Sequence, residues 1–278
     1  MNIANIGGDK IASIGGGNMA QAILGGLMQK GQPAGDCFAI EPNGETREKL
    51  AAMGIAAAPA FDARVLDCDV LLVAVKPQQT EEALRPLAGK LTSQLVVSIA
   101  AGIRSEDLSR WLGDYPVVVR AMPNTPALIL SGITGLYARP GVDAAARARA
   151  ERMMQAVGKT VWFDQESQLD TVTAVSGSGP AYVFYFIEAL ERAAVELGFS
   201  DATARQFALE TFLGAAKLAV AGGIPPAQLR ANVTSKRGTT ESAIAVFDRA
   251  GMQQTFIDGV RAASARATEM GRELGGSK

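Results

Sequence analysis

Histidine is missing from all 278 residues. That absence removes imidazole proton relays, of the kind many 2-hydroxy-acid dehydrogenases use, and every His-ligated metal centre. Cysteine is nearly missing: Cys37 and Cys68 are the only two, with neither metal-ligand spacing nor a disulfide framework around them. They read as small buried residues of a reducing compartment, and a cytoplasmic location is expected. Charge of one sign is not in excess either, since 27 basic and 28 acidic residues leave a formal net charge of −1. That balance speaks against nucleic acid or an anionic membrane as a partner. No apolar run approaches the roughly 20 residues that span a bilayer. Residues 1–9 lack the basic start and apolar core of a signal peptide and are expected to form a tail.

What the chain does have is glycine in an informative place. The apolar run Ile11–Ile14 leads into Gly15-Gly16-Gly17-Asn18-Met19-Ala20. Behind it Ala20, Ile23, Leu24, Leu27 and Met28 recur at the spacing of one helix face, and Gly31 follows as a C′ residue. Strand, glycine turn and amphipathic helix make the context in which G-x-G-x-x-A reads as a dinucleotide fingerprint. Gly15 allows the turn, Gly17 admits a pyrophosphate to the backbone, and Ala20 lets helix and strand pack closely. The bland alternative is an ordinary tight turn between strand and helix. Residues 3–8 nearly repeat 11–16, but no periodic helix follows them. Some 20 residues beyond the fingerprint, the strand Cys37–Ile40 ends in Glu41, placed to accept hydrogen bonds from a ribose diol. Arg47 nearby complicates a simple exclusion of a 2′-phosphate.

Helix is expected over 46–53. The buried-type strands 69–75, 95–99 and 116–121 each finish in a small, Pro-rich or polar turn: Lys76-Pro77, Ala100-Ala101-Gly102 and Met122-Pro123-Asn124. This alternation implies an open parallel sheet whose ligands sit beyond the strand C-termini. Lys76 is either a cofactor-site residue or a solvated loop lysine. Further strands are expected at 132–137 and 160–163, around a helix over 143–157. From about residue 165 buried strands stop and long helical patterns take over, over 165–197, 201–221 and 252–274. The fold class is therefore α/β plus all-α, with domains at 1–164 and 165–278.

Two stretches interrupt the helices. In Ser176-Gly177-Ser178-Gly179-Pro180 the glycines and proline should break a helix unless something compensates. Thr234-Ser235-Lys236-Arg237-Gly238-Thr239-Thr240 gathers hydroxyls and a glycine before a helix expected from Glu241. It reads as a carboxylate-binding loop, or more simply as an N-cap by Thr239 or Thr240. A nicotinamide domain without histidine suits reduction of a protonated imine, whose carbon is already electrophilic and needs no strong protein acid.

The segments IGGGNMAQAILGGL, VAVKPQ, VSIAAGI, RAMPNTPA, VSGSGPAYVF and VTSKRGTTESAIAVF together resemble bacterial pyrroline-5-carboxylate reductases from Lys10 onward. The resemblance implies a Rossmann-like N-terminal domain and an all-helical C-terminal domain that forms a homodimer, with dimers often gathered into a decamer. It implies NADPH- or NADH-dependent reduction of 1-pyrroline-5-carboxylate to L-proline. Carried over, Ile14, Gly15, Gly16, Gly17, Asn18, Met19, Glu41, Ala74, Val75, Lys76, Pro77, Ala100, Ala101 and Asn232 would border the cofactor. Ser235, Gly238, Thr239, Thr240 and Glu166 would hold the substrate, with the Thr240 hydroxyl near the imine nitrogen. Two departures stand out. Arg237 replaces the family's usual Gly, Asn or Ala, which implies a tight turn with positive φ. Glu41 is acidic where many members are neutral.

Overall fold

The computed structural model describes residues 8–276. The tail expected over 1–9 thus lies mostly outside the described residues. Its last member, Asp9, pairs with Arg149 at 3.2 Å and Arg152 at 3.8 Å.

Eight strands form one sheet: β1 (Ile11–Ile14), β2 (Cys37–Ile40), β3 (Ala56–Ala58), β4 (Val70–Val73), β5 (Leu95–Ser98), β6 (Val118–Met122), β7 (Gly132–Ala138) and β8 (Gly158–Trp162). Their spatial order is β3-β2-β1-β4-β5-β6-β7-β8. All neighbours run parallel except β6 and β7, which are antiparallel. The sheet is therefore not wholly parallel, as the sequence pattern had implied. The continuous apolar strands need two covered faces, and they have them. Alternate residues divide cleanly: Ile11, Val70, Leu72, Leu95 and Val97 face one core, while Ala12, Ile14, Leu71, Val73 and Val96 face the other.

Helices fill the crossovers: α1 (Asn18–Gln29), α2 (Gly44–Ala52), α3 (Thr80–Leu84), α4 (Ser105–Trp111) and α5 (Ala144–Gln155). Ile23, Leu24 and Leu27 of α1 are fully buried, each contributing about 1.5–3 kcal/mol of transfer free energy. Gly31, with φ of +98°, ends this helix as expected. Helix α5 buries Ala150, Met153 and Met154 and is capped by Asp143, whose carboxylate accepts the Ala146 N–H at 2.7 Å.

The rest is helical: α6 (Gln168–Val172), α7 (Gly179–Glu196), α8 (Asp201–Gly222), α9 (Pro226–Asn232), α10 (Thr239–Arg249) and α11 (Met252–Leu274). Two compact units emerge. One holds the chain up to Ser178 together with Ala263 onward; the other is Gly179–Ala262. The change of pattern at residue 165 thus falls within the first unit. In the second unit α7 and α11 meet through Tyr182, Phe186 and Phe256, whose rings lie 5.7 Å from one another in the two pairs that Phe256 makes. Phe184, Tyr185, Leu197, Phe207 and Val220 remain more than half exposed, an unusual apolar surface for a body this small. Among the described residues no single helix is long and apolar enough to cross a membrane.

Candidate dinucleotide and substrate sites

Strand register brings the candidate cofactor residues to one end of the sheet. Ile14 pairs with Ile40 and with Val73, and Val73 with Ser98. The turns beginning at Gly15, Glu41, Ala74 and Ile99 therefore leave the sheet side by side. Gly15 has φ of +96°, and a Cβ on it would fall 2.6 Å from the Ala74 carbonyl oxygen. Only glycine fits there. Gly17 is different: it caps α1 with ordinary backbone (φ −65°), and a Cβ on it would meet no atom within 4 Å. The chain thus leaves open space over the start of a 12-residue helix whose first N–H groups have no intrahelical acceptor. A dinucleotide phosphate fits this cradle by charge and by room.

Around the turn, the Gln21 side chain donates to the Gly16 carbonyl at 2.7 Å. The Glu41 carboxylate accepts N–H groups of Gly16 and Asn43, both at 2.8 Å. Arg47 donates to the Glu41 and Pro42 carbonyls at 2.9 and 2.6 Å. Asn18 and Met19 open α1. Ala74, Val75 and Pro77 are half-buried, Ala100 is buried and Ala101 half-buried. Lys76 precedes a short 3-10 turn (Pro77–Gln79) with its side chain exposed. Both thiols are buried and free, and burial pushes each up to about 11. No group of cysteines and carboxylates that could hold a metal ion occurs among the described residues.

Glu166 sits in the first unit, whereas the Ser235–Thr240 loop belongs to the second. Its carboxylate is fully engaged: Oε1 accepts from Arg120 (2.8 Å) and the Ser105 N–H (2.6 Å), and Oε2 from the Ser105 hydroxyl (2.8 Å). That makes it the partner of a buried arginine and the acceptor of the first N–H of α4, not a carboxylate held ready for a ligand. Burial alone would raise its pKa, but the Arg120 charge and the Ser105 bonds outweigh burial and hold it below the usual carboxylate range. Burial pulls the Arg120 guanidinium down. Beside this pair, Arg104 meets Asp170 at 2.6 Å, and the Thr268 hydroxyl donates to the same oxygen at 3.1 Å. The sequence reading missed Arg104, Arg120, Asp170 and Thr268. Arg120 carried a signal: a charge inside a strand buried on both faces demands a counter-charge.

At the glycine–proline stretch the α-helical pattern is interrupted, α6 ending at Val172 and α7 starting at Gly179. Residues Thr173–Gly177 form a π turn between α6 and α7, in which the Ser178 N–H reaches back to the Thr173 carbonyl at 2.8 Å. Gly177 passes close to Met122, where a Cβ would lie 2.8 Å from its terminal methyl. Pro180 falls in the first turn of α7, where a missing N–H costs nothing.

In the second unit α10 starts earlier than expected. Its cap is Gly238, and Thr239 and Thr240 are its first two residues, so neither threonine is the N-cap. Their hydroxyls, and that of Ser235, make no hydrogen bond among the described residues. A Cβ on Gly238 would fall 2.4 Å from the Ser235 hydroxyl oxygen, so the glycine lets that hydroxyl lie at the helix start. Three hydroxyls thus gather at the start of an 11-residue helix, beside N–H groups that have no intrahelical acceptor. Arg237 has φ of +62°, as the expected tight turn requires. Its side chain is exposed, and its N–H donates to Glu241 at 2.6 Å. Asn232 ends α9 and accepts a bond from Gln228 at 2.8 Å.

The strand order β3-β2-β1-β4-β5-β6, with the glycine turn after β1, defines a dinucleotide-binding fold of the Rossmann type. In agreement, residues 10–102 match the family model of NADP oxidoreductases described as coenzyme F420-dependent, and residues 166–270 match that of pyrroline-5-carboxylate reductase dimerisation. A pyrroline-5-carboxylate reductase from Pseudomonas aeruginosa is 45% identical over 96% of this chain and 98% of its own length. The chain belongs to the pyrroline-5-carboxylate reductase family. Solved structures agree: the reductase from Coxiella burnetii superposes with a TM-score of 0.86 at 38% identity, covering 94% of this chain and 98% of the other. The NADP-bound enzyme from Plasmodium falciparum gives 0.85 at 26% identity, over 95% and 98%.

Proposed function

We infer that this chain reduces 1-pyrroline-5-carboxylate to L-proline with NADPH or NADH, the last step of proline biosynthesis. The full-length similarity to the Pseudomonas aeruginosa reductase carries the reading. The geometry supports it in two places. The turn Ile14–Met19 offers a phosphate cradle, flanked by Glu41, Ala74–Pro77 and Ala100-Ala101. Ser235, Gly238, Thr239 and Thr240 offer hydroxyl and N–H donors suited to a small carboxylate. Asn232 is proposed as a further cofactor contact. Lys76, exposed and without an ion pair among the described residues, is proposed to attract the cofactor's phosphates.

When bound, the nicotinamide supplies a hydride to the imine carbon and leaves oxidised. The protein's part is to hold the ring carboxylate at the start of α10 and present the Thr240 hydroxyl to the nitrogen. Protonation of that nitrogen before transfer makes the carbon electrophilic; the product nitrogen is a secondary amine. No histidine is needed, because no alkoxide develops.

We propose the functional division at residues 164 and 165, close to the start of the dimerisation match at 166. Self-association through the helical region as a homodimer is supported by that match and by the exposed apolar side chains of α7 and α8. Gathering of dimers into a decamer, and a cytoplasmic location, are proposed with it; two free buried thiols suit a reducing compartment. The test is NAD(P)H oxidation with pyrroline-5-carboxylate, with proline identified as product, against β-hydroxy acids offered with the oxidised cofactors. Turnover of the hydroxy acids and not the imine would overturn the reading.

A further inference from the structure

Both ends of the region that matches the dimerisation model close on the same few residues of the first unit. At its start, Glu166 accepts the N–H and hydroxyl of Ser105, and Asp170 pairs with Arg104. At its end, the Thr268 hydroxyl donates to that same Asp170 oxygen. One turn further along α11, Gly271 lies so close to the loop that a Cβ on it would fall 3.0 Å from the Gly102 carbonyl oxygen and 3.3 Å from Arg104 Nε. The gripped residues, Gly102, Arg104 and Ser105, follow directly on Ala100-Ala101. On its other side this turn is anchored by β5, where the Ile99 N–H donates to the Val73 carbonyl at 3.0 Å. Between these anchors Ile103 is fully buried. Ala100 is itself buried, its N–H donating to the Ser98 hydroxyl at 3.3 Å, whereas Ala101 is half-buried, so the outer limb of the turn takes its shape from what holds its far end.

We propose that Asp170, together with Thr268, is a positioning residue for the cofactor: it holds Arg104, and through it the Ala100-Ala101 turn, in the shape that accepts the dinucleotide. The proposal rests on the cofactor reading above. Neither Asp170 nor Thr268 is placed at the bound nucleotide; their action is to order the turn beforehand, so that binding does not have to. The last helix thereby acts on cofactor affinity from the far end of the sequence.

The experiment uses the full-length protein with Thr268→Val, Thr268→Ser and Asp170→Asn. Dissociation constants for NADH and NADPH come from nucleotide fluorescence, beside KM for the imine, kcat and the melting temperature. Thr268→Val and Asp170→Asn should weaken cofactor binding about five- to tenfold, with KM for the imine changed less than about twofold. Thr268→Ser, which keeps the hydroxyl, should restore wild-type affinity. If Asp170→Asn fails to fold, Thr268→Val decides, because it removes one hydroxyl without changing shape. A wild type that binds and reduces the imine, with a Thr268→Val variant that melts lower but binds cofactor equally well, would overturn the positioning role while leaving the cofactor reading intact. A wild type that binds neither nucleotide overturns both.

Discussion

The carboxylate of Glu41 accepts the Gly16 N–H at 2.8 Å, with its other oxygen on the Asn43 N–H. A negative charge is thereby fixed beside the glycine turn, at the end of β2 where an adenine ribose would lie. We expect NADH and NADPH to be used comparably, and Glu41→Ser to shift the kcat/KM ratio at least tenfold toward NADPH, roughly 1.4 kcal/mol. A wild type that favours NADPH by more than about a hundredfold, roughly 2.7 kcal/mol, would contradict this.

The open space over Gly17 separates binding from folding. A Cβ on Gly17 would meet no atom of the chain within 4 Å, and the backbone there is one any residue adopts. The melting temperature should stay close to that of the wild type. Cofactor affinity should drop at least tenfold, about 1.4 kcal/mol, because the side chain fills the phosphate cradle. Titration of the folded variant checks it, and unchanged affinity would remove the fingerprint reading.

Thr240 is the second residue of α10 and not its cap, so its loss should show in rate and not in stability. Thr240→Ala should lower kcat/KM by about ten- to a thousandfold, roughly 1.4–4 kcal/mol, as for one oriented hydrogen bond at a reacting centre. Thr240→Ser should recover most of it. Equal kinetics for the alanine variant would leave the hydroxyl without a role.

Arg237 holds a left-handed backbone conformation with its guanidinium exposed. Arg237→Gly should relieve about 1 kcal/mol of strain and leave the melting temperature equal or slightly higher. KM for the imine should change less than about fivefold, under 1 kcal/mol. A rise beyond tenfold would place the arginine in the substrate site.

Glu166 gives stability a defined pH dependence. Its folded-state ionisation lies below the ordinary glutamate value of 4.5, so its contribution is fully present above that value and is lost as pH falls through the folded one. Glu166→Gln leaves buried Arg120 without its ion-pair partner and should cost about 3 kcal/mol near pH 7. Urea unfolding at about pH 7 and about pH 3.5 should show the gap narrowing in acid. A gap of constant size would mean that the carboxylate charge is immaterial.

Much of the first unit was legible because strands buried on both faces and an amphipathic helix write strong periodic patterns. Helix α1, its Gly31 terminus and the Met153–Met154 face of α5 follow from spacing alone. Strand β3 was not legible, since three alanines carry almost no strand preference. The reversed direction of β7 leaves no local trace either, because alternation reads the same both ways. At Gly177–Pro180 local preference pointed to an interruption, and the chain does leave the α pattern there, but the form it takes, a π turn with Gly177 against Met122, depends on a long-range contact. The Glu166–Arg120 pair links residues 46 positions apart, and only the tertiary fold brings them together. Arg237 shows the opposite case, where the turn's positive φ was foreseeable.

The two buried thiols have a consequence for kinetics. With histidine absent and both cysteines pushed up to about 11, the side chains that ordinarily change charge near neutrality are gone from this enzyme. Neither imidazole nor thiol is then left to titrate between about pH 6 and 9. With NADH, which lacks the 2′-phosphate that itself ionises at about pH 6, a bend in the pH–rate profile within that window would trace the ionisation of the cyclic imine, which makes this histidine-free reductase a reporter of its substrate's protonation.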